Sequence, residues 1–168
     1  MLTTRVIPVL HVKGPNLVKG VQLEGLRVLG RPEAFAQHYY EQDADELVFV
    51  DIVASLYGRN TLDEMVRRVA DQVFIPLTVG GGVGSVQDAL RLLRAGADKI
   101  AVNTAAVQRP QLLRELADTL GSQAVVLYVE AKTRDGWWEC LTDNAREPSG
   151  REVVSWCLEA VALGAGEV

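Results

Sequence analysis

Five places along this 168-residue chain could do chemistry, and each stands where a short apolar run ends: His11, Asp51, Gly80-Gly81-Gly82, Asn103-Thr104 and Glu130. The imidazole of His11 and the carboxylates of Asp51 and Glu130 can give and take protons near neutral pH once their surroundings tune them. In Val79-Gly80-Gly81-Gly82-Val83-Gly84-Ser85 the glycines let backbone N–H groups approach an anion, and a helix starting at Ser85 would add a favourable dipole. A phosphate is the ligand this favours; a flexible turn is the plainer alternative. Asn103-Thr104 would flank the same spot with side-chain donors. Taken singly, any one of these groups reads as readily as a solvated loop cap. Recurring at the ends of successive apolar runs, they point to one functional face. Lys19 lies in a connection of about twenty residues before Arg31, longer than most connections and therefore predicted to be a lid over that face. A solvated loop lysine is the alternative there.

The elements that must position these groups follow from periodicity. Strands are predicted over residues 5–11, 46–51, 76–80, 99–103 and 123–130, rich in Val, Ile, Leu and Phe. Helices are predicted over 31–43, 61–73, 85–95, 110–120 and 151–163, with Pro32 and Pro110 near helix starts and Ser85 as an N-cap. Near-continuous apolar strands separated by helices indicate an α/β fold with a parallel sheet covered by helices. Asp43-Ala44-Asp45-Glu46, Gly96-Ala97-Asp98-Lys99 and Gly164-Ala165-Gly166-Glu167 repeat one pattern of helix end, tight turn and new strand, as expected of a fold built from copies of one βα unit. On this pattern Glu167-Val168 begin a sixth strand, and residues 1–168 form one partial domain cut from a larger fold.

The first residues of the predicted strands, Arg5, Glu46, Lys99 and Glu167, form a second set at the opposite end and alternate in sign. They would either close that end as a salt-bridge ring or gate a passage through it. Alternation groups Arg5 with His11 and Lys99 with Asn103 but fails for Glu46 and Asp51, five apart.

Composition narrows the partners. Seventeen basic against twenty-two acidic residues leave a net charge of −5, which argues against a nucleic-acid binder. No apolar run reaches the ~18–20 residues of a membrane span, and the N-terminus lacks a signal-peptide core, so a cytoplasmic protein is expected. Cys140 and Cys157 have no metal-ligand spacing, and neither a metal nor a cofactor is expected. Trp137-Trp138 read as a surface loop or a partner contact.

Several stretches together resemble the cyclase subunits of imidazole glycerol phosphate synthase, the histidine-biosynthesis (βα)8 TIM-barrel family: Arg5-Val6-Ile7-Pro8, Leu17-Val18-Lys19-Gly20, Asp45-Glu46-Leu47-Val48-Phe49-Val50-Asp51, Thr78-Val79-Gly80-Gly81-Gly82 and Lys99-Ile100-Ala101-Val102-Asn103-Thr104-Ala105-Ala106. The resemblance covers essentially the whole chain and implies about the first five βα units of such a barrel. It implies an activity in which ammonia from a partner glutaminase attacks a bis-phosphorylated ribulosyl aminoimidazole carboxamide, giving imidazole glycerol phosphate and aminoimidazole carboxamide ribotide. It assigns Gly81, Gly82, Asn103 and Thr104 to a substrate phosphate, Asp51 to substrate binding and Lys19 to a mobile loop. Arg5, Glu46, Lys99 and Glu167 match the ammonia gate facing the glutaminase.

The chain departs from the family at three points. His11 and Glu130 stand where the family has its two catalytic aspartates, and strands six to eight with their phosphate site are missing. These departures imply impaired catalysis. They keep two alternatives open: a barrel that amidinates a surface-polysaccharide sugar, and a non-catalytic, phosphate-binding half-barrel that self-associates through its open edges. The sibling barrel isomerase of the same pathway fits the quoted stretches less well.

Overall fold

A computed structural model describes residues 4–21, 24–54 and 62–168. Residues 1–3 and Thr61, the expected first residue of one helix, lie outside the described residues. In chain order the first elements are β1 (Val9–Lys13), β2 (Asn16–Val21), β3 (Glu24–Gly30), α1 (Pro32–Glu41), β4 (Leu47–Asp51), α2 (Leu62–Ala70), β5 (Leu77–Gly80), α3 (Val86–Ala95) and β6 (Lys99–Val102). They continue with α4 (Thr104–Gln108), α5 (Gln111–Leu120), a short 3-10 turn, β7 (Val125–Leu127), β8 (Glu130–Arg134), β9 (Trp137–Thr142), β10 (Glu147–Glu152) and α6 (Val153–Ala162).

The parallel α/β architecture is as expected. One sheet runs β3-β2-β1-β4-β5-β6-β7, and its β1-β4-β5-β6-β7 part is parallel throughout. It curves as part of a barrel but does not close; beyond β7, Glu167 makes a single parallel bridge to Val126. The register aligns His11, Val50, Gly80, Ala101 and Val126 in one row across these strands. Because side chains alternate along a strand, that row and its i±2 neighbours occupy one face. Leu10, Val12, Leu47, Phe49, Leu77, Val79, Ile100, Val102, Val125 and Leu127 occupy the other, where they form the main core. The helices close over that second face. α2 buries Leu62, Met65, Val66 and Val69, α3 buries Ala89, Leu92 and Ala95, and α5 buries Leu112, Leu113 and Leu116.

The repeat has a common physical basis. Each copy ends its helix with the same 6→1 backbone bond, Ala44 to Tyr39, Ala97 to Leu92 and Ala165 to Ala160, at 3.0–3.1 Å, which is the Schellman way of closing a helix. The alanine is buried in each copy because the turn folds under the sheet. The preceding residue is left-handed each time, with φ of 58° at Asp43, 117° at Gly96 and 113° at Gly164. In two copies the aspartate that follows pins the neighbouring strand, Asp45 accepting from Val6 N at 2.7 Å and Asp98 from Leu77 N at 2.8 Å.

Three expectations are corrected. The connection after β1 is not an irregular lid but the β2–β3 hairpin, which extends the sheet antiparallel. The fifth parallel strand is only Val125–Leu127, and Glu130 opens a separate antiparallel sheet, β10-β9-β8. Trp137-Trp138 therefore lie on a strand, although Trp138 is exposed. Asp135-Gly136, with φ of 48° and 86°, makes the tight turn between β8 and β9. Such an Asp-Gly pair is the strongest short-range hairpin signal.

Phe49 is completely buried at the centre of the main core. Phe49→Ala should therefore lower the unfolding free energy by ~3–5 kcal/mol in a urea titration; a loss below ~1 kcal/mol would contradict a single continuous core.

Candidate functional site

At the C-terminal ends of the parallel strands the loops enclose a cavity of about 490 Å³. Of the residues singled out in the sequence, Asp51, Gly81, Gly82, Asn103, Thr104 and Glu130 line it, together with Tyr128, Asp143 and Asn144. His11 and Lys19 are not part of the lining. His11 lies in the middle of β1, and Lys19 is exposed on β2, opposite Arg27 in the hairpin.

The glycines have two jobs. A Cβ on Gly80 would come within 2.9 Å of Ala101 Cβ and of Ala101 O, and one on Gly81 would strike the Asp51 backbone. These two positions are thus demanded by the close approach of β4, β5 and β6. Gly81 and Gly82 also take φ of 105° and 69°, which side chains rarely adopt. The turn delivers the chain to Ser85, whose hydroxyl caps α3 by accepting from Asp88 N at 3.2 Å. The backbone of this turn, Gly80 to Gly84, forms one wall of the cavity, while the start of α3 is capped by Asp88, whose Oδ2 accepts from Gly84 N at 3.2 Å.

Asn103 and Thr104 are already engaged. Asn103 Nδ2 donates to Glu130 Oε2 at 3.0 Å and to Leu141 O at 3.1 Å. Thr104 Oγ1 accepts from Asp143 N at 3.0 Å and so keeps its own proton to donate. Ala145 N donates to the same Glu130 oxygen at 2.9 Å. Asp143, Asn144 and Ala145 are three consecutive left-handed residues, with φ of 52°, 59° and 58°. That conformation costs ~1–2 kcal/mol per residue, and the bonds to Thr104 and Glu130 hold it.

Burial sets the proton affinities. It pushes the Glu130 carboxyl up, against the bonds from Ala145 and Asn103, and the Asp143 charge adds to the rise. Burial likewise raises Asp51, whose Oδ1 accepts from Val53 N at 3.0 Å. It lowers His11, which favours the neutral imidazole. Cys140 and Cys157 are free thiols, and burial pushes Cys140 up to about 11, which leaves it a poor nucleophile. Among the described residues no group of His, Cys, Asp and Glu is arranged to hold a metal.

At the other end of the same sheet face the four alternating charges meet. Arg5 contacts Glu46 at 3.1 Å and Glu167 at 2.6 Å, and Lys99 contacts Glu46 at 2.9 Å and Glu167 at 2.8 Å. Thr78 Oγ1 donates to Glu46 Oε1 at 2.7 Å. The register explains why alternation failed for Glu46 and Asp51. Glu46 shares the face of Val48 and Val50, while Asp51 aligns with Val12 on the core side and enters the cavity only where β4 ends.

Sequence reasoning missed Tyr128, Asp143 and Asn144. Tyr128 had a findable signal, since it stands two residues before Glu130. The other two come into view only once the Asp135-Gly136 turn brings β9 back beside β8.

The sequence model of the family described as "Histidine biosynthesis protein" matches residues 5–168. A curated protein named "Imidazole glycerol phosphate synthase subunit HisF" from Legionella pneumophila is 56% identical, over 100% of this chain and 80% of its own length. Proteins of the same name from Streptococcus sanguinis and Myxococcus xanthus are 52% and 51% identical, again over 100% of this chain but over 67% and 66% of their own lengths. No helix among the described residues is long and apolar enough to cross a membrane.

The charge ring yields a pH prediction. The hydrogen bond from Lys99, joined by that from Arg5, holds the Glu167 carboxyl below its ordinary value of 4.5. A depressed carboxyl stabilises the fold above its unfolded value and loses that contribution as pH falls through the folded one. Glu167→Gln should therefore be less stable at neutral pH and should lose less on acidification below 4.5. Urea titrations of both proteins across that range, showing equal slopes, would contradict the coupling.

Proposed function

The chain belongs to the histidine biosynthesis protein family, and on that premise we propose that it is a cyclase subunit of imidazole glycerol phosphate synthase. In this reading it converts a bis-phosphorylated ribulosyl aminoimidazole carboxamide ribotide and ammonia into imidazole glycerol phosphate and aminoimidazole carboxamide ribotide. A carbon–nitrogen bond is broken, which makes the reaction a lyase reaction, and a glutaminase subunit supplies the ammonia.

One observation carries the reading: a single cavity joins a glycine-walled turn to two carboxyl groups, the buried Asp51 and the half-buried Glu130. Its volume of about 490 Å³ suits a phosphorylated small molecule. The substrate phosphate lies against the backbone of Gly81 and Gly82, with the spare proton of the Thr104 hydroxyl donated to one of its oxygens. Asn103, whose amide protons go to Glu130 and Leu141, acts chiefly by fixing the carboxylate. Asp51 receives donors of the substrate at the neighbouring strand end.

Ring closure needs a proton removed from the attacking nitrogen, and cleavage of the C–N bond needs one delivered to the leaving nitrogen. Glu130, raised by burial, can do either nearer neutral pH than an exposed carboxyl can. His11, kept neutral by burial, is the second group able to hold a proton, from a position behind the cavity lining. Ammonia enters at the ring of Arg5, Glu46, Lys99 and Glu167. Its ion pairs join the four side chains at that end of the sheet, and the glutaminase docks over it.

With ammonium as nitrogen donor, the chain should yield both products by mass spectrometry, and Glu130→Gln should lower the rate ~10²–10⁴-fold. No product above the uncatalysed control from the unaltered protein would end this reading.

A further inference from the structure

His11 does not line the cavity, whereas Tyr128 does. The Tyr128 hydroxyl stands 3.5 Å from His11 Nε2. The register puts both on the same sheet face, because His11 aligns through Val50, Gly80 and Ala101 with Val126, two residues before Tyr128. The tyrosine ring packs on the small apolar cluster of Val18, Val50 and Ile52, which ties the hairpin to β4 and fixes where the hydroxyl points. Glu130, two residues further on, lines the same cavity.

We propose that Tyr128 is the catalytic residue that exchanges a proton with the substrate, and that His11 acts only through it, as the group that orients and relieves the phenol. As the substrate gives a proton to Tyr128 Oη, the phenol's own proton passes to His11 Nε2. One O–H bond breaks, one N–H bond forms, and the phenol O–H is remade with the substrate's proton. The substrate has then lost one proton and His11 has become an imidazolium. The reverse passage returns that proton to the leaving nitrogen, so the cycle needs no other reactant.

The resting protonation states are the ones from which the relay starts. Burial, with the nearby Glu130 charge, keeps the Tyr128 phenol protonated, and burial keeps the His11 imidazole neutral. The separation is at the long end for a hydrogen bond, as catalytic pairs often are before substrate closes the site. The substrate's identity rests on the cyclase reading above; the Tyr128–His11 pairing does not.

The test uses the full chain labelled with 15N-histidine. It holds two histidines, so His38 serves as an internal reference. In the unaltered protein His11 should be the Nδ1–H tautomer, with Nε2 accepting. In Tyr128→Phe it should shift towards the Nε2–H tautomer while His38 stays unchanged. An unchanged His11 spectrum would overturn the pairing. In ammonium-driven turnover, Tyr128→Phe and His11→Asn should each lower kcat ~100-fold with little change in KM, and the double variant should be no slower than either single one. Multiplying losses, or an unaffected Tyr128→Phe, would overturn the relay. No turnover by the unaltered protein would overturn both the cyclase reading and the relay's substrate, while the imidazole spectrum would still decide the pairing.

Discussion

The close approach of β5 to its two neighbours sets the geometry of everything at the cavity end. Gly80 leaves no room for a Cβ against Ala101, and Gly81 leaves none against the Asp51 backbone. Strands that near to one another bring the ends of β4, β5 and β6 to one spot, and with them Asp51, the glycine turn and Asn103-Thr104. The glycines at the cavity wall are thus required by packing, so the shape of that wall and the strand spacing cannot be varied independently.

A second constraint acts at the far end of the same face. Glu46 is buried, and a buried carboxylate is tolerable only when its partners satisfy it. Arg5, Lys99 and Thr78 all bond to it, and Glu167 bonds to both cations in turn. Because these residues come from the segments entering β1, β4, β5 and β6 and from the chain beyond α6, the network also fastens the successive βα units together. Separating these segments must break ion pairs rather than move a loop.

The β8–β9–β10 sheet gives the cavity its third wall. Its left-handed turn at Asp143-Asn144-Ala145 is tied to Thr104 and to Glu130, so the carboxylate is held by backbone from one side and by Asn103 from the other. Glu130 is thereby fixed against both the parallel sheet and the antiparallel one. Tyr128, from the same short segment, lines the cavity, and its hydroxyl stands 3.5 Å from Nε2 of His11, which does not line it.

By itself the sequence determined the parallel α/β plan, the helices, the repeat and the polar strand ends, because each is a local matter. Apolar periodicity sorts helix from strand, a Schellman turn needs only a left-handed residue and a small one after it, and a strand end is where an apolar run stops. The four-charge ring was legible as a set but not as a contact, since five-residue spacing between Glu46 and Asp51 hides which face each takes until the strand register is known. The hairpin after β1 was missed because Gly14-Pro15 was read as part of one long connection, and the antiparallel sheet because Asp135-Gly136 was not weighed as a turn. Only the tertiary structure decided that Asn103 serves Glu130, that Asp143 and Asn144 wall the cavity, and that Tyr128 rather than His11 meets it. Those relations join residues from different strands, and no spacing within one strand encodes them.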